Sequence, residues 1–99
     1  MVAEGVINGR RLLSADWVQR AVQPNGSANE PRYGYQFWLN GGGTALRWPS
    51  LPESAYAMLG NRKQVVMMLP QQQTVIVRLG WSSGAYPVDE NFARILEAL

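Results

Sequence analysis

Apolar residues fall into three patterns along the chain. In the first, Trp17, Val18, Ala21 and Val22 recur at helical spacing behind Ser14, a good N-cap. Asp16 lies in the first turn, where the helix dipole favours an acid, and Leu13 and Val18 have the spacing of a hydrophobic staple. Pro24-Asn25-Gly26 ends the segment, so a helix over 15–23 is predicted, preceded by the turn dipeptide Asn8-Gly9. In the second pattern the apolar residues come in short runs. Tyr33-Gly-Tyr-Gln-Phe-Trp-Leu39 has strand propensity, Asn40-Gly41-Gly42-Gly43 breaks it, and 44–53, with two prolines, reads as an irregular loop. Ser54–Leu59, Gln64–Leu69 and Thr74–Leu79 are predicted strands, and the connector Pro70-Gln-Gln-Gln73 is short enough to make the last two an antiparallel hairpin. Both are almost wholly apolar, which predicts burial on both faces. In the third pattern, Phe92, Ile95, Leu96 and Leu99 form one stripe of a helix over Val88–Leu99, with Asp89 and Glu90 at its start. The predicted fold is α+β: an antiparallel sheet of three or four strands, flanked by an N-terminal and a C-terminal helix on one face.

Composition narrows the function classes. Ninety-nine residues suffice for one domain, and the 16% of charged residues is well under the roughly 25% typical of soluble domains. A surface that carries so little charge is expected to be covered by something. The net charge of +2 rests on eight arginines and Lys63, with no basic run longer than Arg10-Arg11 or Arg62-Lys63, so no nucleic-acid partner is expected. Cysteine and histidine are absent, which removes disulfides, the usual zinc sites and every Ser-His-Asp or Cys-His arrangement. There is no apolar run of membrane-span length and no signal-peptide core, so the chain as written reads as cytoplasmic, with no membrane partner. No metal and no cofactor is expected.

The motifs that suggest chemistry mostly dissolve on inspection. Gly80-Trp-Ser82-Ser-Gly84 matches G-x-S-x-G after a strand, but Ala85-Tyr-Pro87 follows where a helix is needed, and no histidine exists to activate Ser82. Asn40-Gly41-Gly42-Gly43 lacks the lysine of a phosphate loop and reads as a flexible turn. Asn25-Gly-Ser27 fits a glycosylation sequon but reads as a helix-ending loop, and Asp89 and Glu90 are better explained by capping than by acid/base work. Arg78, the lone charge of the last strand, is expected at a solvent-facing strand end or in a buried ion pair. The aromatic residues Tyr33, Tyr35, Phe37 and Trp38 are expected to pack in a core or interface. A ligand pocket lined by Tyr33, Tyr35, Trp38 and Trp48 is the less favoured alternative.

Taken in order, four segments resemble the C-terminal end of the serine β-lactamase/penicillin-binding-protein superfamily, nearest its class C β-lactamase-related esterases and amide hydrolases. They are Gly5-Val-Ile-Asn-Gly-Arg-Arg-Leu-Leu-Ser-Ala-Asp-Trp-Val18, Tyr33-Gly-Tyr-Gln-Phe-Trp-Leu39, Tyr56-Ala-Met-Leu-Gly-Asn-Arg-Lys-Gln-Val-Val-Met-Met-Leu-Pro70 and Thr74-Val-Ile-Val-Arg-Leu-Gly80. The resemblance implies that the sheet is part of a β-lactamase-like α/β domain. It also implies that Tyr56, Ala57, Met58, Gly60 and Asn61 lie on a remnant cleft strand, with backbone N–H groups near Tyr56–Met58 placed for an oxyanion hole. The family's chemistry uses a Ser-x-x-Lys, a Tyr-x-Asn or Ser-x-Asn, and a Lys/His-Thr-Gly strand. None of the three stands in this chain: Lys63 has Gly60 three residues before it, no tyrosine has Asn two residues on, and Ala55-Tyr56-Ala57 replaces the third motif. Lys63 also stands where many relatives carry glycine before the Gln.

Two roles follow as expectations. One is a C-terminal piece of such a hydrolase, without catalytic residues of its own and inert in isolation, whose partner is the missing N-terminal part. The other is a self-associating assembly module, a homo-oligomer joined through exposed strand edges.

Overall fold

A four-stranded antiparallel sheet organises the chain. The computed structural model describes residues 2–99. A small hairpin comes first, β1 (Val6–Ile7) against β2 (Arg10–Arg11), then α1 (Ala15–Ala21). β3 (Trp38–Leu39), β4 (Tyr56–Gly60), β5 (Gln64–Leu69) and β6 (Thr74–Arg78) form the sheet in sequential order, and α2 (Val88–Glu97) closes the fold. This is an α+β architecture with a helix towards each end of the chain.

Local chemistry accounts for most boundaries. Asn8 and Gly9 both have positive φ, 51° and 75°, the requirement of the two-residue turn that matches strand twist, so β1 and β2 pair directly across it. The Ser14 side chain accepts the Trp17 N–H and caps α1, while Asp16 and Arg20 pair at i,i+4. Pro70, which has no N–H for the ladder, ends β5, and a left-handed Gln73 turns the chain into β6. The β5–β6 hairpin has the predicted extent to within one residue.

Four expectations need correction. The first helix stops at Ala21, because Val22 is already a non-helical cap. The aromatic run is not one strand: Gln36 is left-handed, the Gly34 N–H returns to the Phe37 carbonyl, and only Trp38–Leu39 joins the sheet. The cause is tertiary. The Ala21 carbonyl at the end of α1 takes the Tyr35 N–H at 2.9 Å, and a Cβ on Gly34 would lie 2.2 Å from that oxygen. The C-terminal stripe is also rotated, with Phe92 buried, Val88, Ala93 and Leu96 packed beside it, and Ile95 and Leu99 exposed.

The last correction concerns the sheet faces. Successive strand residues point to opposite sides. Met67, with Ala57, Val65, Leu69 and Ile76, meets Phe92 of α2 together with Trp48 and Leu51 of the 44–53 loop. Met68, with Leu39 and Tyr56, meets Val22 at the end of α1. The helices therefore lie on opposite faces rather than one. Nor is β6 buried on both sides: Ile76 is buried, but Val75 and Val77 are 48% and 55% exposed. No helix among the described residues is long and apolar enough to cross a membrane.

Candidate functional site

β4 runs between β3 and β5 for only part of its length. β3 pairs with Tyr56 and Ala57, whereas β5 pairs with all five residues from Tyr56 to Gly60. Met58, Leu59 and Gly60 consequently have one backbone edge without a partner strand, and all three are exposed. Of the residues expected on a cleft strand, Tyr56 and Ala57 are buried inside the sheet, and Met58 and Gly60 lie on this open edge. Asn61 lies beyond it, in the turn to β5. That three-residue turn places Arg62 and Lys63 at φ 61° and 69°. A left-handed φ costs an L-residue roughly 1–2 kcal/mol and glycine almost nothing.

The Gly80–Gly84 loop is clamped against this turn. Arg78 reaches across it, Nη1 donating to the Lys63 carbonyl at 2.7 Å and Nη2 to the Ser82 hydroxyl at 2.5 Å. The Ser82 N–H donates to the Arg62 carbonyl, and the Arg78 guanidinium stacks 3.9 Å from the Tyr86 ring centre. Arg78 is thus neither a free strand end nor half of an ion pair. It ties two loops together, with the Ser82 hydroxyl as one of its acceptors.

The aromatic segment packs tightly. Tyr33 stacks on Trp38 with ring centres 4.6 Å apart, and the Arg47 guanidinium lies 4.6 Å from the Trp38 ring and 5.9 Å from Trp48. Glu30 bridges Arg32 and Arg47 at 3.0 and 3.1 Å. The Arg32 hydrogen bonds hold the Glu30 carboxyl below its ordinary range, and burial lowers Arg47. Tyr35 stands apart from this cluster, edge-on to Trp17 with ring centres 5.8 Å apart.

A cavity of about 450 Å³ opens between α1, the segment around Glu4, the 40–43 turn and the start of β4. Its walls include Val18, Val22, Leu39 and Ala55, with Glu4, Glu53 and Tyr56 also lining it. Burial first, and the Glu4 charge second, raise the Tyr56 hydroxyl above its ordinary pKa. Among the described residues there is no group of three or more metal-ligating side chains.

Asn40 is the residue that sequence reasoning misjudged most. It is fully buried, not part of a flexible turn. Its Nδ2 donates to the carbonyls of Trp48, Leu51 and Pro52 at 3.0, 3.1 and 2.8 Å, and its Oδ1 accepts the Trp48 N–H. One amide holds the 48–52 loop over the sheet.

No family model matches the chain, and no curated protein matches it.

Proposed function

We propose that this chain is the C-terminal sheet region of a β-lactamase-like serine hydrolase, inert by itself and built to be covered by further structure. The reading rests on the ordered resemblance of its four segments. The observation that carries it is the exposed apolar surface of Met58, Val75, Val77 and Leu79, from 46% to 77% exposed in a chain with little charge. Two local features support it. The edge at Met58–Gly60 without a partner strand belongs to the strand that the resemblance assigns to the cleft. The left-handed φ at Lys63 is one that glycine, the residue of many relatives at this place, adopts without strain. In isolation the same surface is covered by a second copy, so the chain self-associates.

The reading frame upstream of Met1 tests the descent directly. An in-frame Ser-x-x-Lys is expected there, and an immediate stop codon contradicts the proposal. The purified chain should turn over neither nitrocefin nor p-nitrophenyl esters. Turnover that disappears on Ser82→Ala would sink the reading.

A further inference from the structure

We propose that the cavity between α1 and the start of β4 is a binding site for a small organic cation with an apolar body, an alkylammonium or alkylguanidinium. The site is distinct from the β4 edge and does not depend on the family reading.

Its volume of about 450 Å³ lies within the range of small-molecule pockets, roughly 300–1,000 Å³. Apolar walls from Val18, Val22, Leu39 and Ala55 suit a hydrocarbon chain. The charged groups select the other end of the ligand. Glu4 and Glu53 both line the cavity, and among the described residues neither has an ion-pair partner. Arg11 is the one cation in the lining, and its Nη1 already donates to the carbonyls of Leu13 and Glu4. The net charge offered to a ligand is therefore negative.

The wall that carries Glu53 is shaped for it. A Cβ on Gly41 would lie 2.7 Å from Glu53 Cγ, and one on Gly42 would lie 2.6 Å from Pro24 Cγ. The glycine pair thus lets the 40–43 turn close directly onto Glu53 and Pro24, and Asn40 anchors that turn from within. Beside Glu53, Ser54 also lines the cavity, and its hydroxyl oxygen is buried with no hydrogen-bond partner. An ammonium ion entering here would meet the Glu4 and Glu53 carboxylates, with its chain against the apolar wall.

The test is a titration of the full chain with n-hexylamine, n-hexanol and hexanoate at neutral pH, followed by backbone amide NMR. Hexylamine should shift the amides of Gly41, Gly42 and Ala55. Hexanol and hexanoate should bind at least about tenfold more weakly, as expected for a site that pairs a charge. Glu4→Gln and Glu53→Gln should each weaken hexylamine by about threefold, the scale of a partly exposed ion pair. Both glutamates are exposed, so the variants are expected to keep the wild-type amide spectrum outside the cavity. Three results would overturn the proposal: no hexylamine binding, equal binding of the alcohol or carboxylate, or full affinity in the double variant.

Discussion

The two faces of the sheet are built from the same kinds of residue and meet opposite fates. On one face Ala57, Val65, Met67, Leu69 and Ile76 close against Phe92, Trp48 and Leu51 into a continuous buried cluster. On the other, burial is confined to the end at Leu39, Tyr56 and Met68, under Val22 and Phe37. From there the apolar surface continues in the open through Met58, Val75 and Val77. Hydrophobicity along a strand therefore reports what a face is meant to contact, and only the rest of the fold decides whether the contact is made within the chain. The covered face holds the chain together, and the open face is the one the proposal assigns to a partner.

Substitutions should separate the two faces cleanly. Phe92→Ala removes the centre of the covered face and should cost about 3–5 kcal/mol, close to the whole stability of a domain this size. Chemical denaturation would show it as a collapse of the unfolding midpoint. Asn40→Ala should come next. It strands the Trp48 N–H and loosens the loop that brings Trp48 and Leu51 onto the sheet, at about 2–3 kcal/mol by the same measurement. Lys63→Gly, in the turn beside the open face, should instead stabilise by up to about 1 kcal/mol by relieving a left-handed backbone. On the open face, Val75→Thr should change stability by less than about 0.5 kcal/mol. A large loss there, measured at a dilution where the chain is monomeric, would mean that the chain itself covers this face and the comparison is false.

The smallest effect expected is electrostatic. The Arg32 hydrogen bonds, helped by the Arg47 charge, hold Glu30 below the ordinary carboxyl value of 4.5. A depressed carboxylate adds stability above its unfolded pKa, and that contribution is lost as the pH falls through the lower folded value. Melting temperature should therefore drop in acid below 4.5 slightly more steeply for the native chain than for Glu30→Gln. Identical acid profiles would show that the Glu30 bridge contributes nothing measurable.

What could be read from the sequence was local. Ser14 marks its helix because capping needs only the next three residues, and Pro70 ends its strand because a missing N–H needs no neighbour. The β5–β6 hairpin is legible because both strands and their turn lie within fifteen residues. The aromatic segment was not, because its fold-back depends on the Ala21 carbonyl of another element. Asn40 defeats local reading in the same way: its partners lie eight to twelve residues away in a loop without regular structure. Sidedness was lost because an apolar run looks the same whether covered or bare. The expectation of a cleft strand at β4 rests on resemblance alone, and the geometry shows that the Met58–Gly60 half of β4 lacks a partner strand on one edge. The cavity was invisible, since its walls come from segments spread between Glu4 and Pro70.

The mass of the chain in solution tests most directly whether the open face is built to be covered. Light scattering over a concentration series should give a species larger than the 11.0 kDa monomer, and Val75→Lys with Val77→Lys should return it to a folded monomer whose melting temperature no longer depends on concentration. A native chain that stays monomeric at high concentration, with its apolar face bare, would contradict the account.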